Sequence, residues 1–417
     1  MKILFLHQNF PGQFKFLAPA LATAGHEVTA LRLDNATPLT NYDGVRVQNY
    51  RTLRINTPGL TPSHRDLESK LIRAEGVAVA LDRIRQSGNA PDLIIGHSGW
   101  GECLHVKSVF PGAGLYAYCE FYYRENGQDT GFDPEYEKVR DIHSSIRLDI
   151  KNFNNDLMST RMDKGLTPTQ WQMSTYPDST RRKLSVIHEG VDTDQLKRRP
   201  EVTLTLTTKD GTQVRLSSEN KVVTYVARNL EPYRGFHSFM RAIPKILRAD
   251  PEARVLLVGG DSVSYGSPPK EIIGEDVSWR QLLLREVSST LSQTEIARIH
   301  FLGKVPYQTY KDILSISSVH VYLTYPFVLS WSMLEAMSMG CCVLGSSTPP
   351  VQEVIEDGQN GRLVNFFDYD SIADTVIDLL ADKSQRTRLG AHARKTIQDR
   401  YDLKRICLPA QLQWVLT

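Results

Sequence analysis

A chain of 417 residues is too long for one comfortable core, so two domains of near-equal size are expected. Its 41% hydrophobic and 23% charged content are those of an ordinary soluble globular protein, and a net charge of +2 argues against a nucleic-acid partner. The five cysteines, at 103, 119, 341, 342 and 407, are odd in number and lack a CxxC or Cys/His cluster, which argues against a disulfide framework or zinc site and for a reducing cytosol.

The N-terminal "MKILFLHQNFPGQ" has too short an apolar run for a signal peptide or a membrane span, and reads as a buried first strand. Residues 3–6 ("ILFL") are apolar throughout, as in parallel strands covered on both faces. A turn, the helical pattern "KFLAPALATAG" and a second strand "EVTALRL" follow. Residues 50–90 read as mostly helical. Further strands are expected at 92–97, 114–119 and 184–190.

The pattern then restarts. "KVVTYVAR" is a strand, "NLEPYRG" a loop and "FHSFMRAIPKILRADP" an amphipathic helix, followed by the strand "RVLLVGG". Strands at "IHFLGKV", "HVYLTY", "CCVLGSS" and "GRLVNF" alternate with helices to the end. Such alternation predicts two doubly wound α/β domains. Between them, period-two alternation around Asp210 and Gly211 predicts a small hairpin.

Ligands of open parallel sheets bind beyond the carboxyl ends of strands, so residues just after strands matter most. Gly12 is expected immediately before a helix, where it is either a turn glycine or a point of close ligand approach. His97 ends the strand at 92–97, as a strand cap or as a hydrogen-bonding group of a site. Arg228 and Arg234 both follow the strand at 221–228 and suit a pyrophosphate. Glu335 is the one charge in "YPFVLSWSMLEAMSMG". It fits a capping box with Ser332, and equally a carboxylate that accepts both hydroxyls of a ribose.

The run "YPFVLSWSMLEAMSMG" with "CCVLGSSTPPVQEVIEDGQNGRLV" resembles the retaining glycosyltransferases of family 4, which have the GT-B fold. "VIHEGVDT", "VARNLEPYRG", "FLGKVPYQTYKDIL", "GHEVT" and "PDLIIGH" extend the resemblance over nearly the whole chain. It implies two Rossmann-like domains facing across a cleft. These are an acceptor domain at 1–187, with the helix at 401–417 packing back on it, and a nucleotide-sugar domain at 188–400. It implies a cytoplasmic enzyme, at most peripheral on a membrane, that moves a sugar from a UDP- or GDP-sugar to an acceptor hydroxyl with retention. No metal or cofactor is implied. The acceptor, whether glycan, lipid-linked glycan, protein or small molecule, stays open.

By position, the resemblance gives Glu335 the ribose, Arg228 and Arg234 the pyrophosphate, and Gly303, Lys304 and Val305 the base. Gly12 borders the donor's phosphate and the acceptor, Gln13 falls on the acceptor side, and His97 at the donor sugar and acceptor. The sequence departs from the family at Phe327, where an acid is usual eight residues before Glu335; Ser330 and Ser332 are candidate hydroxyl donors there. Two other readings stay in view, a nucleotide-sugar epimerase on the same double-Rossmann plan and, from Phe327, a nucleotide-binding partner subunit without activity. The pairs "DTD" (192–194) and "DYD" (368–370) fall in connecting segments and are read as chance. The basic clusters at 181–183 and 197–199 are read as solvated loops before any lipid contact.

Overall fold

The structure, a computed structural model, describes all residues except 35–36, 137–141 and 208–210. It divides into two compact units. The first comprises Met1–Asn126, Val139–Gly190 and Lys404–Thr417; the second comprises Gly127–Lys138 and Val191–Leu403.

The first unit is built on β1 (Lys2–Leu6), β2 (Glu27–Leu33), β3 (Asn41–Tyr42), β4 (Val45–Tyr50), β5 (Leu93–His97), β6 (Gly114–Tyr118), β7 (Lys164–Thr167) and β8 (Leu184–Val186). Their order is β3-β4-β2-β1-β5-β6-β7-β8, parallel except for the β3–β4 edge pair. The apolar run of β1 explains its central place, because alternate side chains face opposite layers. Ile3 and Phe5 pack with Leu17, Leu21 and Trp414; Leu4 and Leu6 pack with Val77, Leu81 and Leu104. The helix Pro62–Gln86 covers the second face. It starts where the Thr61 side chain accepts from the backbone N–H of His64 and proline takes the first turn. The terminal helix Leu408–Leu416 lies in this unit, with Trp414 against Tyr116 at 5.1 Å.

The second unit carries the hairpin β9 (Thr203–Thr207) and β10 (Gln213–Ser217), antiparallel as expected; Asp210 of its turn lies outside the described residues. Its main sheet is β11 (Val222–Asn229), β12 (Arg254–Gly260), β13 (Ile299–Gly303), β14 (Val319–Tyr322), β15 (Val343–Ser346) and β16 (Arg362–Val364). The order is β13-β12-β11-β14-β15-β16, all parallel. Read in sequence this is 3-2-1-4-5-6, the doubly wound order, with its switch point between β11 and β14. In the first sheet the corresponding switch lies between β1 and β5.

The strap Gly127–Lys138 comes from the first half of the sequence yet packs within the second unit. Phe132 inserts between Tyr325, Phe366 and Phe367 at centroid distances of 5.1, 5.2 and 5.1 Å. Tyr233 donates its hydroxyl to Asp129, and Tyr325 donates to Asp133. His237 Nε2 lies 3.2 Å from Asp133, and Arg241 grips Glu135 with both terminal nitrogens at 2.6 Å. Burial pushes the Asp133 carboxyl up, but donors from His237 and Tyr325 outweigh it and hold the group below the usual carboxylate range. No hydrophobic period announces this strap, because Phe132 is joined there mainly by polar anchors, Asp129, Asp133 and Glu135.

Asp133→Ala leaves the Tyr325 hydroxyl without its buried acceptor. The second unit is expected to lose about 1–3 kcal/mol of stability in denaturant titration. Limited proteolysis should cut residues 127–136 faster in the variant than in the parent, with no change at the β9–β10 hairpin.

Candidate functional site

In the second unit, β11 runs into the turn Pro232–Arg234, then Gly235, then the helix Phe236–Ala249. Gly235 has a left-handed φ of +68°, and a Cβ there would lie 2.3 Å from Leu323 Cβ, so only glycine fits the approach to β14. This places Arg234 at the switch point, 7% exposed. Its Nη1 donates to Thr324 Oγ1 at 2.8 Å, Val328 O at 3.0 Å and Tyr322 OH at 3.3 Å. None of these acceptors is charged, and among the described residues no carboxylate forms an ion pair with Arg234. Tyr265 lies 5.0 Å beneath the guanidinium. The Nε–Nη2 edge, the fork that grips oxyanions in bidentate fashion, is not used in those three bonds. Burial alone would lower the Arg234 pKa, but the oxygens of Tyr322 and Tyr265, with the nearby Glu231 carboxylate, reverse the shift and keep it a cation.

Arg228 is exposed near the carboxyl end of the same strand, so the two predicted arginines share a strand end and differ in burial. Glu231, which the sequence reading passed over, is buried and accepts backbone N–H bonds from Ser264, Tyr265 and Gly266 at 3.0–3.2 Å. That clamp fixes the loop after β12 and holds Tyr265 in place.

The structure removes one of the two readings of Glu335. The helix Trp331–Ser338 is capped by Ser330, whose hydroxyl accepts from the Ser332 N–H, so the residue at the capping-box position is Met333. The Ser332–Glu335 box is therefore overturned. The two caps differ by two residues of register, which local sequence does not encode. The Glu335 carboxylate instead accepts from the Tyr307 hydroxyl at 2.9 Å. Ser330 and Ser332 bond each other through their hydroxyls at 2.9 Å. Gly303 takes φ +66° at the end of β13, followed by exposed Lys304 and half-buried Val305. Phe327 is buried with its ring edge-on to Tyr233 (5.5 Å) and Tyr265 (5.1 Å), so an aromatic wall stands where the acid was expected.

In the first unit, Gly12 opens a short 3-10 turn, and the next helix begins only at Leu17. The expectation that it directly precedes a helix N-terminus is corrected. Its φ is +47°, and a Cβ would lie 2.2 Å from His7 Cε1, so Gly12 exists to admit the His7 ring. His97 ends β5 with Trp100 stacked on it at 4.4 Å, and its Nε2 lies 3.5 Å from Glu120 Oε2. Gln13 accepts from His7 Nε2 at 2.7 Å and donates to Glu120 Oε1 at 3.3 Å. The sequence reading named Gly12, Gln13 and His97 but missed His7, Trp100 and Glu120. Their shared position after β1, β5 and β6 was the available signal.

The remaining motifs have structural work. Asp368 caps the helix Tyr369–Ala381, and Asp370 pairs with Lys245 at 3.0 Å. Asp192 accepts backbone N–H bonds from Asp194 and Gln195. In the basic clusters, Lys183 binds the carbonyls of Ser159 and Met162, Arg198 that of Ser315, and Arg199 pairs with Asp312. Among the described residues no helix is long and apolar enough to cross a membrane.

Residues 24–196 match the glycosyl transferase family 4 group, and residues 208–396 match glycosyl transferases group 1. The chain belongs to the group 1 glycosyltransferases of family 4. It is 30% identical over 189 residues to the phosphatidyl-myo-inositol mannosyltransferase of Mycolicibacterium smegmatis, covering 44% of this chain and 42% of that one. It is 24% identical to the spore coat protein SA of Bacillus subtilis, covering 56% of this chain and 58% of that one. The chain thus spans about half the length of these curated relatives. The crystal structure of Anabaena HepE in complex with UDP superposes with a TM-score of 0.69 at 16% identity, covering 100% of this chain and 99% of that one. The group 1 glycosyltransferase fold is GT-B, and both sheets here have its Rossmann-like order.

Three histidines titrate low. Burial lowers His7, helped by His97, to about 4; burial with Arg254 lowers His300 to about 4; burial alone lowers His320 to about 4. Each stays neutral when folded, while an unfolded histidine titrates near 6.5. Stability from these groups is therefore complete above pH 6.5 and lost as pH falls toward 4. The melting temperature is expected to fall across that window, and His300→Gln should show a shallower slope, by one proton.

Proposed function

We propose that this chain transfers a sugar from a nucleoside diphosphate sugar to an acceptor hydroxyl, with net retention and without a metal. The observation that carries the reading is Arg234, a buried guanidinium at the switch point whose three hydrogen bonds go to neutral oxygens. A buried charge with no carboxylate in direct contact is costly, and a diphosphate bound along its unused edge offsets that cost. The helix Phe236–Ala249 aims its N-terminus at the same place, and Arg228 adds an exposed positive charge near the end of β11. Glu335 is assigned to the ribose, Gly303 to Val305 to the base, and Ser330 and Ser332 to donor hydroxyls. Gly12, Gln13 and His97 form the acceptor side on the first unit.

The anomeric C–O bond to the diphosphate breaks while the acceptor oxygen bonds the same carbon on the same face. The acceptor's proton passes to the departing phosphate oxygen, and Arg234 with the helix N-terminus stabilises the charge that develops there. Phe327, walled by Tyr233 and Tyr265, offers no side-chain nucleophile, which supports this route over a glycosyl-enzyme intermediate. The UDP bound to the structurally similar HepE supports a uridine donor, and the mannosyltransferase relative supports a hexose. A cytoplasmic setting fits a nucleotide-sugar substrate.

A melting-temperature screen against UDP, GDP and their sugars tests the donor, and anomeric proton signals of the product test retention. Arg234→Ala is expected to abolish the nucleotide-induced rise and lower turnover by about 100-fold or more. Arg234→Lys, which keeps charge but not the fork, should retain part of both. Asp370→Ala should change neither. Equal effects of Arg234→Ala and Asp370→Ala would overturn the assignment, and a chain that binds donor without turning it over would instead be the inactive subunit that Phe327 allows.

A further inference from the structure

The ends of β1, β5 and β6 converge on one carboxylate. His7 Nδ1 accepts from the Asn9 N–H at 3.1 Å, and His97 Nδ1 accepts from the Gly99 N–H at 3.0 Å. Each ring nitrogen that accepts a backbone proton carries none itself, so in both neutral rings the proton sits on Nε2. His7 Nε2–H then donates to Gln13 Oε1 at 2.7 Å, which orients the amide and turns its NH2 toward Glu120 Oε1 at 3.3 Å. His97 is 2% exposed, and its Nε2 has no hydrogen-bond partner; it is aimed at Glu120 Oε2 from 3.5 Å.

Glu120 is thus approached by N–H groups on both oxygens but by no cation. Among the described residues no lysine or arginine forms an ion pair with it, and its side chain keeps 31% exposure. Burial pushes its pKa up, yet the nearby His97 ring and the Gln13 N–H outweigh burial and hold it below the usual carboxylate range. Beside it, Trp100 stacks on His97 at 4.4 Å and leans on His7 at 4.6 Å. Gly12 has no room for a side chain because the His7 ring occupies it.

Glu120 is neither paired with a cation nor sealed from solvent. Its oxygens have lone pairs left over for hydroxyl donors, and O–H···O⁻ bonds are among the strong ones. An oriented carboxylate beside an indole is the combination that recognises a polyhydroxylated ring, whose hydroxyls need acceptors and whose C–H face packs on aromatics.

We infer that Glu120 orients the acceptor's hydroxyl and that the acceptor is a sugar or cyclitol ring set against Trp100, with His97 and Gln13 as positioning residues. This rests on the proposed glycosyl transfer and adds the acceptor's chemical class to it. The test uses the full chain with whichever nucleotide sugar raises its melting temperature. The acceptor panel is myo-inositol, methyl glucosides and methyl N-acetylglucosaminide, against simple alcohols and a serine peptide.

A ring polyol is expected to be glycosylated. Glu120→Gln should raise its KM by about 10- to 100-fold, with donor KM and the nucleotide-induced melting shift unchanged. Trp100→Ala should act in the same direction, and His97→Gln, which retains an N–H donor, should keep more acceptor affinity than His97→Leu. Transfer only to simple alcohols or the peptide, or an unchanged acceptor KM in Glu120→Gln, overturns the inference. Because the melting shift is read on the same samples, this failure is separable from failure of donor binding.

Discussion

A guanidinium without a carboxylate organises the second unit. Arg234 ties the end of β14 to the loop before the helix Trp331–Ser338 through Thr324, Val328 and Tyr322, and Tyr322 in turn accepts the N–H of Ser330, the cap of that helix. One buried cation thus sets the geometry of the whole carboxyl edge at the switch point. Had a glutamate neutralised it, the edge would be as ordered but would have no electrostatic use for an anion.

The surroundings of Arg234 show how much polar structure is needed to hold one such charge. Glu231 fixes the neighbouring loop by accepting three consecutive backbone N–H groups, and so places Tyr265 under the guanidinium. The strap at 127–138 fixes Tyr233 and Tyr325 through Asp129 and Asp133, and those rings wall the space around Phe327. The loss of an acid at 327 therefore comes with an aromatic surround rather than a void. The first unit repeats the logic with opposite sign, since His97 Nε2 faces Glu120 from 3.5 Å and His7 acts on it through Gln13.

Much of the fold was legible in the sequence because burial on both faces leaves a direct trace. Runs such as "ILFL" and "RVLLVGG" announce central parallel strands, and the restart near residue 221 announces a second sheet. Short or edge elements were not legible. β7 has four residues, too few for a period, and β4, next to the edge strand β3, has six residues and no continuous apolar run. The site was half legible. Arg234, Glu335, His97 and Gly12 stand out as residues after strands or lone charges in apolar runs. Glu120, Glu231 and Asp133 do not, since their partners lie 107, 33 to 35 and 192 residues away or come from backbone groups.

By itself the sequence determined two doubly wound sheets, the hairpin between them, and the strand ends where chemistry belongs, since periodicity and turn residues are local consequences of burial and backbone sterics. Only the tertiary structure decided that Glu335 faces Tyr307 rather than its own helix end, that residues 127–138 belong with the second unit, and that His97 and Gln13 face one carboxylate. Those outcomes depend on which side chain meets a buried polar group across space, and hydrogen-bond satisfaction is a property of the packed chain, not of any segment of it.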